Sequence, residues 1–223
     1  MVFQLDNDLW FPDPHQADDD GLLAVGGDLS VDRLLLAYSY GIFPWYSYRH
    51  REEPLWFCPM RRFVIFPNEI HVSHSMRQMM NQRRYEVTYN RDFEGVIKGC
   101  ATAQNRHLKE GAWLGPQIIS AYTELYKKGH AASFEVWEYS ADGQLGRLVG
   151  GLYGVTLWRT FFGESMFSLV PNASKLALIV LARLLDYKGG RLIDCQFETP
   201  HLRSMGGRFI SYDEFISILR HRT

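Results

Sequence analysis

Three short runs carry most of the polar chemistry of this chain. Gly163-Glu164-Ser165-Met166-Phe167-Ser168 is followed four residues later by Asn172-Ala173-Ser174-Lys175, and further on by Asp194-Cys195-Gln196. They set two acids, an amide and several hydroxyls at the edges of strongly apolar segments. A globular domain strands such groups beside a core only where they hydrogen-bond one another or bind something. Glu164 alone reads as a carboxylate that caps neighbouring backbone near a strand end, and its proximity to Ser165, Ser168, Asn172 and Lys175 turns the reading toward a functional site. The run is not a serine-hydrolase elbow, because Phe167 stands where Gly-x-Ser-x-Gly needs its last glycine. Asp194 alone reads as a strand-end acid closing a turn. With Gln196 two positions on, period-two alternation predicts that both face one way, Asp194 accepting from the amide nitrogen so that the amide oxygen points elsewhere.

Alternating strands and helices must position these groups. The first sixty residues differ in texture: Phe11-Pro12-Asp13-Pro14 and Asp18-Asp19-Asp20 read as loop, and Gly26-Gly27-Asp28 as a turn. Ser30 caps a helix with Leu34, Leu35 and Ala37 on its apolar face, Gly41 stops it, and residues 41–46 read as an aromatic turn. Beyond this, strands are expected at 63–66, 85–89, 133–139, 146–157, 160–162 and 191–195. Helices are expected at 73–84, 92–101, 116–128, from 172 or 173 to 188, and 212–219. The pattern predicts a small N-terminal domain over 1–62 and a larger domain over 63–223, in an α+β (mixed α/β) fold with a mixed central sheet flanked by helices.

Bulk properties narrow the class. A net charge of −1 excludes a generally basic nucleic-acid binder, so a polyanionic partner has to be met by a local patch. Arg77, Arg83 and Arg84, on or after one predicted helix with Arg61, Arg62 and Arg91 nearby, are the candidates, against the ordinary reading of a solvated face. Three widely spaced cysteines argue against a disulfide framework and fit a reducing cytoplasm. Neither a membrane span nor a secretory leader is expected. His71 and His74 have a metal-compatible spacing without further ligands, so no metal is expected. Gly150-Gly151-Leu152-Tyr153-Gly154 matches no phosphate-binding fingerprint and reads as close packing or a bulge.

The longer motifs GLLAVGGDLS, RLLLAYSYGIFPWY, HVSHSMR, AYTELYKKGHAASFEVW, LVGGLYGV, FFGESMFS, NASK, LIDCQ and HLRSMGG resemble, in order and over nearly the whole chain, the bacterial leucyl/phenylalanyl-tRNA–protein transferase family. The resemblance implies a larger domain related to N-acetyltransferases. It implies transfer of leucine or phenylalanine from tRNA to proteins beginning with arginine or lysine, which marks them for degradation by the bacterial N-end rule pathway. It implies no metal or nucleotide cofactor, and a cytoplasmic monomer is expected. On matching positions it places Trp45 and Trp113 at the aminoacyl-adenosine end of the tRNA, and Leu152, Phe161 and Leu181 around the amino-acid side chain, with Ser165 close by. Glu164, Asp194 and Gln196 match the functional acids and amide, and Arg77, Arg83 and Arg84 fit a patch for the acceptor stem. Ala112, Ala132 and Leu181 depart from the residues common in the family, which are threonine, histidine and, in some members, an aromatic ring. Two rival readings are an acyl-CoA-dependent N-acetyltransferase, for which no pyrophosphate-binding turn is found, and a non-catalytic tRNA-binding module.

Overall fold

The computed structural model describes residues 2–45, 53–107 and 114–221. In chain order the elements are β1 (Phe3–Leu5), β2 (Leu22–Gly26), α1 (Val31–Ser39), β3 (Phe43–Trp45), β4 (Leu55–Phe57), β5 (Arg61–Ile65), α2 (His74–Asn81), β6 (Tyr85–Tyr89), α3 (Phe93–His107), α4 (Pro116–Lys127), β7 (Ala131–Tyr139), β8 (Leu145–Leu157), β9 (Thr160–Ser168), α5 (Ala173–Tyr187), β10 (Leu192–Asp194), α6 (Pro200–Ser204), β11 (Arg208–Ser211) and α7 (Tyr212–Arg220).

The strands form two sheets. A four-stranded sheet has the order β1-β2-β4-β3, and a seven-stranded sheet has the order β11-β5-β10-β9-β8-β7-β6. In the larger sheet only β9 and β10 run parallel, so the fold is a mixed α+β one. Two apolar layers cover its faces. Tyr153, Val155 and Phe162 pack with α3 and α4 on one side, while Leu152, Phe161 and Phe134 pack with α5 on the other. The alternation Leu152/Tyr153 and Phe161/Phe162 is the period-two pattern of strands buried on both faces. Among the described residues no helix is long and apolar enough to cross a membrane.

Local chemistry places the boundaries. Ser30 Oγ accepts from the Arg33 backbone N–H and starts α1. Gly41, at φ +71°, ends it with its own N–H on Tyr38 O, and a Cβ there would lie 2.7 Å from the Phe215 ring. Asp92 Oδ1 accepts from Gly95 N at 2.8 Å at the start of α3. Ser168 Oγ accepts from Ser174 N at 2.9 Å and so holds the first turn of α5.

The structure departs from the sequence expectation in several places, among them α3, which runs on to His107 past the expected end at residue 101. The first sixty residues contain a sheet, and the aromatic run Phe43-Pro44-Trp45 is one of its strands. Its strands are three to five residues long, too short for alternation to be read. Strand β9 continues to Ser168, well past the expected end at Phe162, because β8 pairs with it along its length. Helix α6 and strand β11 were not anticipated from the polar segment that holds them.

Candidate active site

Glu164 owes its position to a β-bulge. Tyr153 pairs with Ser165, yet the next residue, Gly154, pairs with Gly163, so Glu164 is an extra residue with no partner on β8. Such an insertion re-aims the side chain of the bulged residue. The carboxylate, half-buried, thereby reaches two fully buried phenols. Tyr38 of α1 donates to Oε1 at 2.7 Å, and Tyr122 of α4 donates to Oε2 at 2.9 Å. The two phenol oxygens also lie 2.5 Å apart. Three oxygen–oxygen contacts close a ring, and the tyrosines supply only two protons. With both phenols donating to the carboxylate, the phenol–phenol contact has no proton. When Glu164 is protonated its hydroxyl donates to one phenol, which then donates to the other, and all three contacts become hydrogen bonds. The same preference shows in its acidity. Burial pushes the Glu164 carboxyl up to about 7, against the two phenol hydrogen bonds and Arg62, which favour the carboxylate, and with Asp194 adding to the upward push.

Asp194 and Gln196 are held differently. Strand β10 ends at Asp194, between β9 and β5. Its carboxylate, wholly buried, takes Arg62 Nε at 2.8 Å on Oδ1 and Arg62 Nη2 at 2.6 Å on Oδ2. The guanidinium lies between the rings of Phe43 and Phe215, 4.8 Å from each centroid. Burial alone would lower the Arg62 pKa; the charge and hydrogen bonds of Asp194 more than offset this and raise it. Asp194 Oδ1 also accepts from the Gln196 backbone N–H at 3.0 Å, and Gln196 adopts a left-handed φ of +57°.

The expected link between Asp194 and the Gln196 side chain is therefore replaced by another. Strand alternation stops at Asp194, and the left-handed residue turns the amide toward Glu164, where Nε2 donates to Oε1 at 3.3 Å. Asp194 holds the backbone of Gln196, and Glu164 holds its amide nitrogen. The amide oxygen is thus left to point away from Glu164, by a different route from the one anticipated.

Two cavities meet at this pair. A small one of about 130 Å³ is walled by Phe43, Pro44, Trp45 and Phe197, and a larger one of about 460 Å³ is walled by apolar side chains including Leu152, Phe161, Met166 and Leu181. Glu164, Cys195, Gln196 and Phe197 line both. Trp45 is partly exposed and tilts against Phe57 and Phe197 at 5.7 and 5.3 Å. Ser165 is on the wall of the larger cavity, with His201 and Thr199.

Of the residues singled out from sequence, Glu164, Gln196, Trp45, Ser165, Leu152, Phe161 and Leu181 thus come together, and Asp194 supports them from behind. Trp113 lies outside the described residues. Arg77, Arg83 and Arg84 are exposed at and after α2 and line neither cavity. Arg77 Nη1 donates to Val72 O, and Arg84 faces Glu138 at 3.6 Å. Arg62, grouped by sequence with that basic run, is instead the buried partner of Asp194. His71 Nδ1 lies 3.1 Å from Ser204 O, and among the described residues no group of three metal-binding side chains occurs.

Sequence reasoning missed Arg62, Tyr38 and Tyr122. The signal for Arg62 was a guanidinium at the head of the apolar run Phe63-Val64-Ile65, which needs a buried acid. The signal for the tyrosines was a phenol on the apolar face of each helix, which needs a partner for its hydroxyl.

An acid and an amide thus stand at the junction of an aromatic cleft and an apolar chamber, and the chain is an aminoacyltransferase. The family model described as leucyl/phenylalanyl-tRNA protein transferase matches residues 64–220, and the model of that family's N-terminal domain matches residues 27–60. The chain belongs to the leucyl/phenylalanyl-tRNA–protein transferase family. It is 47% identical over 218 residues to the leucyl/phenylalanyl-tRNA–protein transferase of Syntrophobacter fumaroxidans, covering 98% of this chain and 89% of that one. It is 50% identical over 210 residues to that of Syntrophus aciditrophicus (94% and 84%), and 45% identical over 221 residues to that of Flavobacterium johnsoniae (99% and 100%). Among solved structures, that of L-PGS from Bacillus licheniformis aligns with a TM-score of 0.40 at 10% identity over 80% of this chain and 54% of that one, too weak a likeness to carry an argument.

Proposed function

We propose that this enzyme moves leucine or phenylalanine from aminoacyl-tRNA to proteins with an N-terminal arginine or lysine, as a cytoplasmic monomer, and so marks them for degradation by the N-end rule pathway. The observation that carries the reading is the meeting of the two cavities at Glu164 and Gln196. In this reading the 460 Å³ chamber takes the donor side chain, and the cleft beside Trp45 takes the terminal adenosine, with Trp113 as a second ring. Burying a leucine side chain there is worth about 1.5–3 kcal/mol, enough to reject small and polar amino acids. Arg77, Arg83 and Arg84 meet the acceptor stem through phosphate contacts. The chain divides into a small N-terminal domain and a larger one related to N-acetyltransferases, with the division drawn ahead of β5 rather than at 62/63, because Arg61 and Arg62 belong to that strand of the seven-stranded sheet.

The donor is an activated ester and the nucleophile an α-amine with a reference pKa of about 8. Alignment alone supplies about 7–11 kcal/mol of barrier reduction. The Gln196 amide oxygen accepts from the attacking amine and aims its lone pair at the carbonyl carbon. The C–N bond forms, the bond to the adenosine 3′ oxygen breaks, and the amine's proton leaves to that oxygen or to water. In its ionised form, which gains ground as pH rises through about 7, Glu164 favours a cationic acceptor nearby.

The test is transfer of radiolabelled leucine from charged tRNA to a peptide beginning with arginine, with a glycine-led peptide as control. Label on the arginine peptide alone is the expected result. Equal labelling of both peptides, or none, would refute the reading.

A further inference from the structure

A second cavity, of about 180 Å³, lies behind the larger chamber. The two have just two lining residues in common, Phe161 and Leu181. Both are buried and face both cavities, so their side chains are shared wall between them. Its two halves differ in freedom. Phe161 is pinned: Gly154 on the neighbouring strand is so close that a Cβ there would lie 2.6 Å from the ring, and Phe134 meets the ring edge-on at 6.3 Å. Leu181 projects from the middle of α5, and as a γ-branched side chain it chooses among staggered rotamers. The second cavity owes part of its space to Ala132 on β7, a small residue where the strand faces α5, and it opens past the exposed rings of Trp158 and Tyr89.

We propose that Leu181 is a specificity-determining residue: it closes the donor side-chain chamber against the cavity behind it and thereby sets the largest side chain that is transferred. This rests on the reading of the 460 Å³ chamber as the donor site. A leucine or a single aromatic ring is held in front of the partition. The fused second ring of an indole has to pass it, and meets Leu181.

The experiment charges one tRNA in turn with leucine, phenylalanine and tryptophan by an aminoacylating ribozyme, so that only the side chain changes, and compares transfer to an arginine-led peptide. Leu181→Ala is expected to raise the tryptophan-to-leucine ratio by about tenfold or more. Adding Ala132→Leu, which fills the rear cavity without lining the front one, is expected to return the ratio toward the wild-type value. An unchanged ratio in a Leu181→Ala enzyme that still transfers leucine overturns the proposal, and a gain that survives Ala132→Leu overturns the role of the rear cavity. Should Leu181→Ala fail to fold, Leu181→Val carries the test: a slimmer partition is expected to raise the tryptophan-to-leucine ratio about fivefold, and an unchanged ratio overturns the proposal. Wild-type enzyme that transfers neither leucine nor phenylalanine overturns the reading of function instead, so the two failures are distinct.

Discussion

Two acids build this site, one lining it and one behind it, and they are held on opposite principles. Asp194 is wholly buried and gripped by Arg62, whose guanidinium is itself flanked by two phenylalanine rings. Glu164 sits on a bulge among phenols and an amide, and Arg62 reaches it only as a distant charge. The first arrangement fixes a charge pair and uses it to hold the backbone of Gln196. The second leaves the charge of its carboxylate adjustable near neutral pH. Close neighbours can therefore serve a rigid role and a titrating one, depending on whether a cation or a set of hydroxyls stands opposite.

The largest expected effect breaks the rigid half. Arg62→Met leaves the Asp194 carboxylate buried without its cation, and stability in urea unfolding should fall by about 3–5 kcal/mol. The double variant Arg62→Met with Asp194→Leu should recover most of that loss. No recovery would mean that the pair is held for packing rather than for charge.

The next separates the amide from the backbone that carries it. Gln196→Gly keeps the left-handed turn and removes the side chain, so single-turnover transfer should fall by about 100-fold with stability nearly unchanged. Near wild-type transfer would remove Gln196 from the mechanism.

A smaller effect probes the titrating half. Each phenol hydrogen bond draws the Glu164 carboxyl downward, against burial. Tyr122→Phe should therefore move the inflection of the pH–rate profile upward from about 7, at a stability cost of about 1 kcal/mol. Movement downward would show that the phenols do not stabilise the carboxylate.

The last is a linkage effect. The Glu164 carboxyl is raised from 4.5 to about 7 by burial, so its contribution to stability is complete below about 4.5 and is lost as pH rises through about 7. Wild-type unfolding free energy should decline over that window, and Glu164→Gln should flatten the decline. A slope identical in both proteins would place the titration elsewhere.

Much of this arrangement was legible in the residues. The buried helix α5 declared itself by apolar residues almost all round, α3 and α4 by an aspartate cap and a leading proline, and β8 by its apolar run. Leu152, Phe161 and Leu181 came with a resemblance to a family, and the structure sets them around one chamber. What escaped was of two kinds. Strands β1 to β4 are too short to show a period, so only pairing defines them. Partners far apart in the chain were invisible: Arg62 and Asp194 are 132 residues apart, and Tyr38 and Glu164 are 126.

The division has a physical cause. Helix caps, glycine stops, strand composition and the presence of an acid–amide set are local properties, decided by neighbours a few bonds away, and the chain states them directly. Which carboxylate meets a guanidinium and which meets two phenols depends on a bulge opposite Gly154 and on the packing of α1 and α4 against one face of a sheet. Only the assembled fold sets those distances, and at these short ranges the distances decide whether a carboxyl group keeps its charge.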